Sequence, residues 1–220
     1  MEANIADSNK ERIVIVGGGI GGLELAFDML NSDYQVVLID KNNYHQFPPL
    51  IYQVASAGLE PSSIAFPFRR LFQGKSDFFF RMATVEAVNR TENTLQTSIG
   101  VIHYDYLVLA AGATTNFFGN QNFEQNTLPM KSVAESMCLR NTILENLERA
   151  ETEEDEQKKN ALLTTVVVGG GASGVEIAGA LAEMKKNIIP RDYPDLDANK
   201  LKIYLVNAGD RLLGAMDIKS

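Results

Sequence analysis

The sequence predicts an α/β chain made of two successive parallel-sheet units, and three observations carry that expectation. An apolar β-branched run, Ile13 to Val16, leads without a gap into GGGIGG at 17–22 and then into LELAFDML, which has helical periodicity. The same order of strand, glycines and helix returns in TTVVVGGGASGVEIAGALAEM at 164–184. The first glycines of the two loops, Gly17 and Gly169, are 152 positions apart, which is too long for a solenoid period and suits two similar domains in series.

Each element follows from local pattern. Ile13 to Val16 reads as a buried parallel strand, and VVLI at 36–39 as its neighbour, ending at Asp40. Residues 41–75 are rich in aromatics and proline and read as irregular. Pro48 and Pro49 cannot sit inside a regular element, whereas Pro61 suits the first turn of a short helix. A long apolar segment of this kind usually has a function. Three short strands are expected at 84–88, 94–97 and 101–104, with NRTEN at 89–93 as a turn, followed by a buried strand in YLVLAAGA at 106–113.

Ser132 to Ala150 predicts an amphipathic helix with Val133, Met137, Ile143, Leu144 and Leu147 on one stripe. The charged run ERAETEEDEQKK at 148–159 reads as a solvated connection. The second unit then starts at Leu163, with a strand at 165–168, a helix at 174–186 and a returning strand at 202–207. The expected organisation is a first domain over 1–115, a connecting segment and helix over 116–162, and a second domain over 163–220. Two parallel strands and one helix do not enclose a core, so the second domain is expected to be incomplete and the chain to be the N-terminal part of a longer one.

Composition narrows the function. Asp+Glu 28 against Lys+Arg 20 gives a net charge of −8, which argues against a nucleic-acid surface. No run approaches the roughly 18 apolar residues of a spanning helix and no signal peptide opens the chain, so the expected compartment is the cytoplasm, with peripheral membrane attachment left open. Cys138 is the only cysteine, and no CxxC redox pair can form. It is expected in the core of the amphipathic helix. His45 reads either as a neighbour of a bound nucleotide or as a satisfied structural residue, and His103 as structural. Two isolated histidines make no metal site. Arg69 and Arg70 are expected to cap a short helix or face solvent.

The glycine loops carry the chemistry. In the first, Gly17 permits a tight turn, Gly19 lets the backbone approach a pyrophosphate and Gly22 lets the helix pack close to the strand. The helix N-terminus offers unpaired N–H groups to phosphate. Asp40, 23 positions after Gly17, stands where a carboxylate accepts from an adenosine ribose. Lys41 contacts the nucleotide or is exposed. Gly169, Gly171 and Gly174 repeat the pattern, but the matching strand ends at Asn207, 38 positions after Gly169. An amide there can bond a ribose hydroxyl without the charge that repels a 2′-phosphate, so NADH and NADPH both remain open, and Arg211 could favour the phosphate. Two such Rossmann-like units read as a flavin site visited by a nicotinamide, with hydride passing from one to the other. That transfer needs no general acid or base, so no catalytic triad is assigned.

These residues resemble the type II NADH dehydrogenases, which reduce quinones, within the two-dinucleotide flavoprotein reductases. RIVIVGGGIGGLELA and VVVGGGASGVEIAGALAEM are shared by the wider superfamily, while YHQFPPLIYQVASAGLEPSSIAFPFR at 44–69 and YDYLVLAAGATTNFFG at 104–119 are more specific. The resemblance implies FAD at Gly17, Gly19, Gly22 and Asp40, with NADH or NADPH as co-substrate at the second loop. It places Pro49, Leu50 and Gln53 by the isoalloxazine, the Val85 backbone at the adenine, and Ala111 and Gly112 in the segment approaching the flavin. Ala111 stands where many relatives have threonine, so a hydroxyl is missing. Glu176 matches a glutamate close to the nicotinamide; its other reading is a helix N-terminal acid. A quinone acceptor, peripheral attachment to the cytoplasmic face of a membrane and a homodimer are further implications. A soluble NAD(P)H-dependent flavin reductase with ferredoxin or oxygen as acceptor, and a catalytically inactive fragment, are the alternatives; acceptor specificity separates the first.

Overall fold

The computed structural model describes residues 2–214, 216 and 217. Along the first half run β1 (Arg12–Val16), α1 (Ile20–Asp28), β2 (Gln35–Asp40), β3 (Tyr44–Gln46), α2 (Ile51–Ala55), β4 (Ala65–Pro67), α3 (Phe68–Leu71), β5 (Phe78–Met82), β6 (Val85–Asn89), β7 (Thr94–Thr97), β8 (Gly100–His103) and β9 (Tyr106–Leu109). The second half holds α4 (Gln121–Asn126), α5 (Val133–Thr152), α6 (Glu156–Leu162), β10 (Thr164–Val168), α7 (Ala172–Asn187), α8 (Ile189–Asp192) and β11 (Lys202–Val206). The fold is the expected α/β class with parallel sheets. Two compact units partition the chain, one of residues 1–47 and 64–114, the other of residues 48–63 and 115–220.

The first unit is built on a four-stranded parallel sheet in the order β5-β2-β1-β9. Both faces of its centre are covered. Ile13, Ile15, Val36 and Leu38 pack with Ala26 of α1 and with Phe68, Phe72 and Phe80. Val14, Val37 and Ile39 pack with Ala83, Leu95 and Ile102, the last two from the antiparallel β6-β7-β8 meander. This double cover is why β1 and β2 are continuous apolar runs rather than alternating ones. The strand expected to be buried at 106–113 is instead an edge strand, β9, with Tyr106 and Leu109 exposed, because among the described residues only β1 pairs with it. β5 had no counterpart in the sequence reading.

The segment over 41–75 is also more regular than expected. β3 pairs antiparallel with β4, and Pro48, Pro61 and Pro67 sit at the starts of 3₁₀ turns or in an edge strand and N-cap. Three-residue strands are too short to leave a periodic signal.

In the second unit β10 and β11 form a two-stranded parallel sheet covered on one face. Ile177, Leu181 and Met184 of α7 pack with Leu147 and Ala150 of α5 and with Ile189, Leu196 and Leu201 from the return segment. Val166, Val168, Tyr204 and Val206 point to the other face and are exposed. The apolar run in β10 therefore looks like that of β1 but is only half covered. α5 runs to Thr152, and α6 starts at Glu156 with Asp155 as its cap, so the acidic run expected as a connection is largely helical. Val133 and Leu147 are buried as expected, Met137, Ile143 and Leu144 half-buried.

Candidate functional site

At the first loop the strand β1 turns into α1 through Gly17, whose φ of 103° lies in the region that disfavours side chains. Its N–H donates to the Ile39 carbonyl at 2.7 Å, and a Cβ there would stand 2.3 Å from the Ala110 carbonyl oxygen. A Cβ on Gly22 would stand 1.8 Å from the Gly17 oxygen, so the helix reaches the turn only because both residues are glycine. Gly19, the N-cap of α1, faces open space. The tight turn, open approach and close packing expected of these three glycines are thus the geometry found.

Asp40 ends β2 and does local work. Its Oδ2 accepts from the Gly18 N–H at 2.7 Å and its Oδ1 from the Asn42 N–H at 2.7 Å. Each oxygen retains a second lone pair for a further donor. Lys41 is exposed. Val85 opens β6, paired with Thr97 at a bulge, and Ala111 and Gly112 follow β9 in the open, Gly112 with φ of 70°. His45 is buried, and its Nδ1 lies 2.9 Å from the Gly18 carbonyl oxygen. It is satisfied, as the structural reading expects, and it stands beside the glycine loop. Phe68 lies under Gly18, a neighbour that sequence reasoning missed because no periodicity links residues 18 and 68.

The second loop repeats the construction. Gly169 has φ of 111° and donates to the Val206 carbonyl at 2.9 Å, Gly171 is the open N-cap of α7, and a Cβ on Gly174 would lie 1.9 Å from the Gly169 oxygen. Asn207 takes the place of Asp40: its Oδ1 accepts from Gly170 N–H at 3.1 Å. Its Nδ2 donates to the carbonyls of Gly209 and Arg211, both at 3.0 Å, so the amide also organises the following turn. The Arg211 guanidinium donates to the Gly214 and Met216 carbonyls.

Helix α7 begins at Ala172, two residues before the expected start. Glu176 therefore sits in the second turn, away from the N–H groups that would favour a helix N-terminal acid. It lines an open cleft of about 440 Å³ between the α2 segment and α7, with Tyr52, Gln53, Gly58, Gly179 and Glu183. The structure thus brings together Gln53 and Glu176, two residues from the expected site. Pro49 is exposed and Leu50 half-buried in the turn leading into α2.

A model of the pyridine nucleotide-disulphide oxidoreductase family matches residues 11–219. The chain belongs to this family. Over 214 residues it is 32% identical to the type II NADH:quinone oxidoreductase Ndh of Mycobacterium tuberculosis, covering 96% of this chain and 46% of that protein. The external alternative NADH-ubiquinone oxidoreductase of Yarrowia lipolytica is 29% identical over 227 residues, 97% of this chain and 39% of its own length. The structure of NDH2 from Plasmodium falciparum in complex with NADH superposes with a TM-score of 0.87 at 25% identity, over 96% of this chain and 44% of that one. The chain spans less than half the length of these relatives.

For a member of the pyridine nucleotide-disulphide oxidoreductases, the cysteine usage is notable. Cys138 is the only thiol in the 220 residues and no disulfide can form among them. It is exposed on α5, not in the core as expected, because α5 buries the neighbouring Val133 and Ser136 instead. Among the described residues no helix is long and apolar enough to cross a membrane.

Proposed function

We propose that the protein carrying this chain is a flavoprotein NADH:quinone oxidoreductase, with FAD at the first glycine loop and NADH or NADPH at the second. The observation that carries this is the duplicated loop. At both, a left-handed glycine, an open N-cap glycine and a third glycine pressed on the first leave the helix N-terminus bare. The first N–H groups of such a helix have no carbonyl a turn behind them, so they can donate to a pyrophosphate. These residues fit the group: the space in front of Gly19 and Gly171 is where a Cβ would meet nothing. The flavin, when bound, supplies the acceptor for hydride and the route to one-electron chemistry.

The chain's own residues bind and orient. Asp40 holds Gly18 and keeps lone pairs for the FAD ribose, with the Val85 backbone at the adenine and Lys41 at the nucleotide edge. Pro49, Leu50 and Gln53, together with Ala111 and Gly112, are assigned to the isoalloxazine surroundings. Glu176 is assigned to the nicotinamide, in keeping with its place beside Gln53 in one cleft. Asn207 contributes chiefly by fixing Gly170 and the turn after β11. The similar proteins named as NADH:quinone and NADH-ubiquinone oxidoreductases support quinone as the acceptor. Respiratory function, peripheral attachment to the cytoplasmic face of a membrane and a homodimer belong to the same reading.

The acceptor decides it. With NADH oxidation followed while a quinone, a ferredoxin and oxygen are offered separately, turnover is expected with quinone. Turnover with ferredoxin or oxygen and none with quinone would replace this reading by a soluble flavin reductase.

A further inference from the structure

Gly18 is held on three sides. Its N–H donates to Asp40 Oδ2 at 2.7 Å, its carbonyl oxygen lies 2.9 Å from His45 Nδ1, and its α-carbon rests on the Phe68 ring, where a Cβ would come within 2.2 Å. A carbonyl oxygen only accepts, so the contact requires hydrogen on Nδ1 and sets the neutral imidazole as the Nδ1–H tautomer. His45 is itself placed by β3, where it pairs with Phe66 of β4, and it is 8% exposed, so water competes little for that bond. Gly18 C=O and Gly19 N–H belong to one trans peptide and point in opposite directions. Fixing the carbonyl toward His45 therefore turns the Gly19 N–H away from His45, at a residue where an added Cβ would meet nothing within 4 Å.

The second loop arrives at the same three-sided hold with other groups. Gly170 N–H donates to Asn207 Oδ1 at 3.1 Å, its carbonyl accepts from the Leu213 N–H at 2.7 Å, and Leu212 Cδ2 takes the position of the ring, 2.7 Å from an added Cβ. Leu213 adopts φ of 54°, sparsely populated for leucine, in the turn that makes this bond. Unrelated residues converge on one restraint of the same peptide, which is what a requirement on that peptide's direction would produce.

We propose that His45 is a positioning residue of the first glycine loop, donating Nδ1–H to the Gly18 carbonyl so that the Gly19 N–H is aimed at the FAD pyrophosphate. The inference rests on the FAD assignment for its consequence but not for its geometry. Both are therefore tested separately. Long-range proton–nitrogen NMR on the protein without added FAD reads the tautomer directly: hydrogen on Nδ1 is expected at neutral pH, and hydrogen on Nε2 alone overturns the proposal whether or not FAD binds.

The consequence is read by FAD affinity and apo-protein melting in His45→Phe, which keeps a ring without a donor, and His45→Asn, whose amide N–H replaces Nδ1–H. Phe is expected to raise the FAD dissociation constant about tenfold or more, the scale of one lost hydrogen bond to a group that orients a charged contact, with Asn restoring most of it. Equal losses in both variants that track a fall in melting temperature, or wild-type affinity in His45→Phe, would overturn the positioning role. A wild-type protein that takes up no FAD would remove the cofactor assignment, while the tautomer still decides the clamp.

Discussion

A single added carbon atom separates the roles of the glycines in the first loop. Gly19 has room for a side chain and Gly22 has none, because its Cβ would stand 1.8 Å from a backbone oxygen that cannot swing away. Gly22→Ala is therefore expected to destabilise the fold by about 1–3 kcal/mol, the cost of forced overpacking. Gly19→Val is expected to cost about 1 kcal/mol or less through weaker capping. It should nonetheless weaken FAD at least about tenfold, since the methyl groups stand where phosphate would approach donors worth about 1.5–3 kcal/mol each. Thermal melts of the apo-proteins beside FAD titrations check both, and a Gly19→Val protein with full FAD affinity would move the pyrophosphate elsewhere. These glycines were legible in the sequence because their spacing is local and their steric demand is particular to the type. Phe68, Leu212 and Leu213 were not, and His45 was singled out without its partner, because what these residues do depends on which distant segment folds against the loop.

At the scale of elements, patterns survived where an element is long and its burial regular. The capping box of α5, with Ser132 accepting from the Glu135 N–H and Glu135 Oε2 accepting from the Ser132 N–H, marks a start within a residue of the expected one. Its end was misplaced because charge was read as a loop signal, although glutamate, lysine and arginine are good helix formers. Short elements such as β3, β4 and α2 left no periodic trace, and half-covered β10 reads like fully covered β1 because strand composition does not say how many faces are packed.

The packing of α5 against the return segment offers a pH test. Tyr193, next to α8, donates its hydroxyl to Glu148 Oε1 at 2.8 Å. Burial, then that bond and the nearby charges of Glu148, Glu151 and Asp192, push its pKa from 10.0 up to about 12. A raised pKa means that the neutral phenol is the form the fold prefers. Its stabilising effect is complete below pH 10 and is lost as pH rises toward 12. Denaturant melts of wild type and Tyr193→Phe should show a constant difference below pH 10 that shrinks across this window. A difference independent of pH would mean that the phenol is neither buried here nor held by Glu148 in solution.

At the largest scale the chain repeats one glycine-loop construction in two units that are packed differently. Its first unit is a parallel sheet covered on both faces, its second a two-stranded sheet covered on one, and each presents the same glycine loop at the start of a helix. The repeat was visible in the sequence as an offset of 152 positions and survives in three dimensions down to the bond that Asp40 or Asn207 makes with the second glycine. The first unit ends at 114, beside the boundary expected at 115, but residues 48–63 group with the second unit through the packing of α2 on α5 and α7, which the sequence did not carry. The central claim is that one loop holds FAD and the other delivers a reduced nicotinamide. The most direct measurement is the visible absorption spectrum of the purified protein before and after anaerobic NADH. Flavin bands that bleach on adding NADH are the predicted result, and a protein that takes up no flavin from added FAD, or whose flavin bands are unchanged by NADH and NADPH alike, would contradict it.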